Sequence, residues 1–203
     1  GHKSSPENSY ALLNLGLAQH FIGLNDEAIT SLRAATRGKP AIAEAHFQYG
    51  QMLQKTDDLE GAVVAYKRAI ELQGDMIEAH CNLGNVLRGL GFFTESINCY
   101  KEAMKIDPTR IELYTNLGVT FQEMGALSSA IQEYRRALKI DQGDATTHKN
   151  LGMALLKAKN FKEGWTELEW RWKTQEFKGR AGAWEKPRWS GENVEGKVVL
   201  VHA

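Results

Sequence analysis

The stretch that decides the fold is residues 77–110, which read IEAHCNLGNVLRGLGFFTESINCYKEAMKIDPTR. Its apolar residues recur at spacings of three and four on both sides of a breaker at residues 91–94, which predicts two amphipathic helices joined by a short turn. The same pattern returns every 34 residues without insertion, in blocks 9–42, 43–76, 77–110, 111–144 and 145–175. A repeat of this length predicts stacked units that share a continuous core.

Three positions in each block carry the residue types that close helix packing needs. The eighth position is always glycine: Gly16, Gly50, Gly84, Gly118 and Gly152. The twentieth is always small: Ala28, Ala62, Ser96, Ala130 and Gly164. The twenty-seventh is Ala35, Ala69, Ala103 and Ala137 and then Arg171, which marks the fifth block as atypical. Small residues let two antiparallel helices approach, while larger ones fill the remaining gaps: Leu32, Tyr66, Tyr100, Tyr134 and Leu168.

The end of each block is marked by a helix breaker. Pro40, Gly74, Pro108 and Gly143 fall where the second helix has to stop. Together with the Leu-Gly pairs and the recurring alanines, these residues resemble the tetratricopeptide repeat motif over residues 9–175. The resemblance implies an all-α, right-handed α-solenoid of five helix-turn-helix repeats. Residues 1–8 are interpreted as a leader or tag remnant, and residues 176–203 as a linker containing Trp, Gly and Pro.

Composition and charge exclude several classes of function. Lys plus Arg equals Asp plus Glu at 25 each, so no basic field favours nucleic acid as the partner. Cys81 and Cys99 have no spacing typical of a disulfide framework or a zinc cluster, which favours a reducing, cytoplasmic setting. The sequence has no long apolar span and no catalytic or nucleotide-binding motif. We therefore predict no membrane span, no cofactor and no catalytic residue in this chain.

Histidine recurs at the fourth position of three blocks, as His46, His80 and His148. Three histidines at equivalent positions suggest a metal site as one alternative. Identical sites in adjacent repeats lie on the order of 10 Å apart, whereas zinc needs its ligands about 2 Å from one ion. The pattern therefore favours packing histidines with one polar edge.

A row of carboxamides is the candidate functional feature. The resemblance implies that the first helix of each repeat lines a concave groove. The sixth position there carries Asn14, Gln48, Asn82, Asn116 and Asn150, and the ninth adds Gln51 and Asn85. A primary amide can pair with both the C=O and the N–H of a peptide main chain, which predicts sequence-tolerant binding of an extended peptide.

Arg88 and Lys149 are further candidate contacts in this groove. The row resembles that of O-linked N-acetylglucosamine transferases, in which asparagines at the matching place hold the peptide backbone. The alternative is that these amides cap turns or bond within the repeat array.

All five tryptophans lie near the carboxyl end, at positions 165, 170, 172, 184 and 189. Trp165 and Trp172 are predicted to cover the open end of the core. For Trp184 and Trp189 two hypotheses stay open, a structural role and an aromatic platform for a ligand. Residues 196–201 form a β-branched and aliphatic run, which predicts a strand.

The segments 167–172, 186–191 and 196–200 resemble the junction at which bacterial tetratricopeptide repeats meet a glycosyltransferase-like α/β domain. Three functions thus stay open at this point. They are a protein-interaction module, the substrate-recognition arm of a glycosyltransferase whose catalytic domain is absent here, and a scaffold that self-associates through its repeat ends or its strand.

Overall fold

The computed structural model describes residues 6–175, which form ten α-helices in five consecutive pairs. Their bounds are α1 Pro6–Phe21, α2 Asn25–Thr36, α3 Ala43–Lys55, α4 Leu59–Leu72, α5 Ile77–Gly89, α6 Phe93–Ile106, α7 Ile111–Glu123, α8 Leu127–Ile140, α9 Ala145–Lys157 and α10 Phe161–Leu168. A short 3₁₀-helix, Glu169–Lys173, follows α10. The predicted all-α architecture of paired helices is confirmed. The predicted strand at 196–201 lies outside the described residues, as do Trp184 and Trp189.

The block boundaries coincide with helix starts in four of five repeats. Helices α3, α5, α7 and α9 begin at the first residue of their blocks. Helix α1 begins earlier, at Pro6, because proline is favourable at the first helical position, where its missing N–H has no intrahelical partner anyway. Residues 6–8 therefore belong to the first helix and not to the leader that the sequence suggested.

Each helix pair closes on the glycine at its eighth position. A Cβ atom at Gly84 would lie 2.7 Å from Cε1 of Tyr100, and one at Gly118 would lie 2.5 Å from Cε1 of Tyr134. Both tyrosine side chains are fully buried. The aromatic ring therefore occupies the space that a larger residue at the eighth position would need, as the sequence predicted.

The turn within each pair is held by one residue in the left-handed region at the fifteenth position. Gly23, Gly91 and Gly125 have φ between 78° and 86°. Asp57 and Lys159 take the same conformation, at φ 66° and 64°. The next residue donates its N–H to the carbonyl five residues upstream, as in Phe92 to Leu87 at 2.8 Å, which satisfies an orphan carbonyl of the first helix. Glycine adopts this conformation at no steric cost, whereas an L side chain is strained there.

The stack has a defined inner side. From α3 onward, each odd-numbered helix contacts the next odd-numbered helix in addition to its even-numbered neighbours. Within residues 6–175, no comparable contact joins two even-numbered helices. The odd-numbered helices are therefore closer to one another and line the inner side of the array.

The fifth repeat departs from the others, as Arg171 in place of alanine predicted. Helix α10 ends at Leu168, and the chain continues as the 3₁₀-helix. The prediction that Trp165 covers the core is wrong, because its side chain is 57% exposed. Trp170, in the 3₁₀-helix, stacks on His148 with ring centroids 3.9 Å apart, and the Lys173 ammonium lies 3.6 Å from the centroid of the Trp170 ring.

Candidate functional site

The inner surface presents the second, sixth, ninth and thirteenth positions of each odd-numbered helix. The third and tenth positions of α3, α5, α7 and α9 are buried at the junction with the preceding repeat, and the eighth packs against the partner helix. Residues spaced by four, three and four share one helical face, so the remaining positions lie together on the opposite side. The predicted amides occupy this face.

Three of the sixth-position amides are open. The side chains of Asn14, Asn116 and Asn150 make no hydrogen bond within residues 6–175. Asn14 is exposed, while Asn116 and Asn150 are half-buried. Gln51, at the ninth position, is exposed and likewise makes no hydrogen bond within the described part of the chain. Each open amide keeps one acceptor and two donors for a ligand.

The other amides already have partners inside the array. Nε2 of Gln48 donates to Oε1 of Glu44 at 2.6 Å. Oδ1 of Asn85 accepts from the Tyr100 hydroxyl at 2.8 Å. Part of the amide row is thus bonded within the array, as the structural alternative predicted, whereas the binding of a peptide by the open amides stays a prediction.

The tyrosines that fill the helix pairs reach this surface with their hydroxyl groups. The Tyr66 hydroxyl donates to Oε1 of Gln54 at 2.9 Å, and the Tyr134 hydroxyl donates to Oε1 of Gln122 at 3.4 Å. Burial raises the pKa of Tyr66 to about 12, and the Asn82 amide opposes that rise. Burial also raises the pKa of Tyr134.

Sequence reasoning missed Gln54 and Gln122, although one signal was present. A buried tyrosine needs a partner for its hydroxyl, and the facing helix offers amides at the ninth and twelfth positions.

The charges of the groove are paired across repeats. NH1 of Arg88, on α5, lies 2.5 Å from Oε1 of Glu123, on α7. The Glu123 carboxylate raises the pKa of the Arg88 guanidinium against the opposing effect of burial. Lys149, the other predicted cation, is half-buried on α9. Arg88 therefore ties two repeats together, and its predicted contact with a ligand stays a prediction.

Two of the fourth-position histidines have the polar edge that the sequence suggested. The side chain at this position bonds the carbonyl oxygen six residues upstream, in the turn between repeats: His80 Nε2 to Gly74 at 3.0 Å, Tyr114 hydroxyl to Pro108 at 2.9 Å, and His148 Nε2 to Gln142 at 2.9 Å. Nδ1 of His148 also bonds Glu167. At His46, burial lowers the pKa of the imidazole, and the charge of Arg68 lowers it further.

Five helix pairs, a glycine-closed core and an inner surface of odd-numbered helices define a helical-repeat protein of the α-solenoid class. Part of the array, residues 50–143, matches family models of tetratricopeptide repeats. A family model described as tetratricopeptide repeat matches residues 75–143, and another described as TPR repeat matches residues 50–91.

Solved structures with the same fold include two MamA chains. A structure described as MamA protein superimposes with a TM-score of 0.77 at 18% identity, covering 90% of this chain and 100% of the other. MamA 41-end from Desulfovibrio magneticus RS-1 superimposes with a TM-score of 0.73 at 19% identity, covering 89% of this chain and 99% of the other. At this identity the likeness concerns the fold alone. No curated protein matches the chain.

The remaining sequence predictions fall at the edge of the described residues or beyond it. Most of the segment that resembles a glycosyltransferase junction, residues 176–200, lies outside them, so that hypothesis stays a prediction. Between residues 6 and 175, no helix is long and apolar enough to cross a membrane.

Proposed function

We propose that this chain is a protein-interaction module whose inner surface binds an extended segment of a partner protein. The tetratricopeptide fold is consistent with a protein-interaction role. The observation that carries the finer proposal is the set of open amides at Asn14, Asn116 and Asn150, which recurs at one helical position.

The amides suit main-chain recognition because they are neutral and carry both donors and acceptors. An extended peptide presents the same C=O and N–H groups at every residue, whatever its side chains are. The charges of Arg88 and Glu123 on this surface offset each other, because the two side chains form an ion pair. The partner segment is therefore selected by its extended backbone more than by its charge.

The test begins with short random peptides displayed on phage and selected on the unmodified protein. A selected peptide is then titrated by fluorescence polarisation against the triple variant Asn14→Ala, Asn116→Ala and Asn150→Ala. Each lost hydrogen bond costs about 1 kcal/mol, so three together weaken binding roughly a hundredfold.

The matched control replaces amides on the even-numbered helices of two repeats. Asn98 on α6 and Gln132 on α8 are exposed, and Asn98→Ala with Gln132→Ala is expected to leave binding unchanged. Peptides methylated on backbone nitrogens should bind more weakly than their unmethylated forms. Unchanged binding by a folded triple variant, or indifference to backbone methylation, would contradict main-chain recognition through these amides.

A further inference from the structure

The interior of the array contains one kind of junction four times over. At each junction, the third and tenth positions of the following odd-numbered helix are buried: Ala45 and Met52, Ala79 and Val86, Leu113 and Thr120, and Thr147 and Ala154. The seventh position is buried in α5, α7 and α9 and half-buried in α3. Each junction therefore has a receiving face on an odd-numbered helix.

The inserting face belongs to the even-numbered helix of the preceding repeat. Its twenty-first position packs against a hydrophobic cluster that includes residues of the receiving helix. Ile29 packs against the cluster that contains Ala45, and Ile131 packs against the cluster that contains Ala154. These side chains and their equivalents Val63 and Ile97 are half-buried.

The first and the last helix of the described array each have one of these two faces. The receiving face is on α1, and the inserting face is on α10. On α1, the residues at the third, seventh and tenth positions are Ala11, Leu15 and Ala18, which we call the amino-terminal face, and all three are exposed. On α10, the seventeenth and twenty-first positions are Phe161 and Trp165, the carboxy-terminal face, which are 59% and 57% exposed. Positions that are buried or half-buried at the four internal junctions are thus exposed on α1 and α10.

The two faces also match in size. The amino-terminal face has alanine at both its third and its tenth position, which is the smallest pair among the five repeats. The carboxy-terminal face has tryptophan at the twenty-first position, where the other repeats have Ile29, Val63, Ile97 and Ile131. The largest side chain at the twenty-first position is therefore complementary in size to the helix with the smallest side chains at the third and tenth positions. Close packing needs this kind of complementarity.

One further pair of positions, the twelfth and the thirteenth, is also complementary between the two ends of the array. Arg88 and Glu123 join two repeats through an ion pair, from the twelfth position of one to the thirteenth of the next. At the ends of the array these positions are Leu156 and Phe21, and Phe21 is 91% exposed. An apolar pair would replace the ion pair at a junction between two copies.

We propose that the carboxy-terminal face of one copy of this chain packs on the amino-terminal face of a second copy, so that the arrays join head to tail. This inference goes beyond the proposed peptide-binding function and does not depend on it. A contact between two different faces does not close on itself by a two-fold axis, so further copies add to it as concentration rises, in a ring or in a linear assembly.

Sedimentation velocity over a wide concentration range tests the proposal. The unmodified chain should show a weight-average mass that rises with concentration beyond that of a dimer. Leu15→Lys and Trp165→Lys each remove one face and should stay monomeric. Val64→Lys is the matched control, because Val64 is 67% exposed on α4 and belongs to neither face, and it should assemble like the unmodified chain. Circular dichroism checks that every variant is folded.

Mixing Leu15→Lys with Trp165→Lys tests directly whether the two faces bind each other. Leu15→Lys keeps its carboxy-terminal face and Trp165→Lys keeps its amino-terminal face, so an equimolar mixture should form a heterodimer that cannot grow further. A monomeric unmodified chain would overturn the proposal and leave a further repeat as the occupant of these faces. Assembly by either folded single variant, or a mixture that stays monomeric, would also overturn it.

Discussion

Replacing Gly84 by alanine should destabilise the protein, although alanine is the better helix former. The new Cβ would lie 2.7 Å from Cε1 and 2.8 Å from Cζ of Tyr100. Carbon atoms in favourable contact are about 3.5 to 4.0 Å apart, so the ring would have to move by roughly 1 Å. It cannot move cheaply, because Tyr100 is fully buried and its hydroxyl is bonded to Asn85.

The expected change in the free energy of unfolding follows from two opposing effects. Overpacking of a full core costs up to about 3 kcal/mol, and the gain in helix propensity returns about 1 kcal/mol. The free energy of unfolding of Gly84→Ala should therefore fall by about 2 kcal/mol. Urea unfolding followed by circular dichroism measures this value.

A control is available in the same helix. A Cβ atom at Gly89, the last residue of α5, would have no heavy atom within 4 Å. Gly89→Ala should raise the free energy of unfolding by up to about 1 kcal/mol. Equal stabilisation by both substitutions would refute the role of Gly84 in closing the helix pair.

Two further predictions concern the buried phenol and the left-handed turn. Burial raises the pKa of Tyr66 from 10.0 to about 12, so the stability due to its neutral form is complete below pH 10 and is lost as pH rises towards 12. The urea midpoint should fall across this window less in Tyr66→Phe than in the unmodified protein, and an equal fall would contradict the assignment. Lys159 has φ 64°, so Lys159→Gly should stabilise the protein by about 1 kcal/mol, while Gly91→Ala, at φ 81°, should destabilise it by a similar amount. Urea unfolding measures both changes, and a less stable Lys159→Gly or a more stable Gly91→Ala would contradict the strain argument.

The repeat boundaries and the helix pairs could be predicted from sequence because they depend on local patterns. Helices α3, α5, α7 and α9 begin where the blocks begin, and the glycine at the eighth position meets its filler in the same repeat. Steric volume is a property of the residue itself, so an unbroken series of Gly84 and its equivalents was sufficient evidence.

Which amides are hydrogen-bonded within the array could not be predicted from the sequence, because this depends on which atoms a tyrosine hydroxyl can reach. Tyr100 bonds the ninth-position Asn85, whereas Tyr66 bonds the twelfth-position Gln54. Both residue types were visible in the sequence, but the choice between them requires coordinates. The pairing of Arg88 with Glu123 joins two repeats and follows no spacing rule within one block.

The role of Trp165 was predicted wrongly for a different reason. The prediction for Trp165 assumed that one helix continues from Trp165 through Trp172. The chain changes from α- to 3₁₀-helix after Leu168, which alters the direction of every later side chain and brings Trp170 onto His148. A change of helix type within a short segment leaves little trace in apolar spacing.

The inner surface and the core are connected through a single residue in each of the three central repeats. The ring of Tyr66, Tyr100 or Tyr134 closes the helix pair against glycine, and its hydroxyl bonds an amide on the inner surface. A helix pair that loosens would therefore also release that amide. The sixth-position amides of Asn116 and Asn150 lie outside these bonds. The proposed binding of a partner segment at these amides would therefore require no change in the packing of the core.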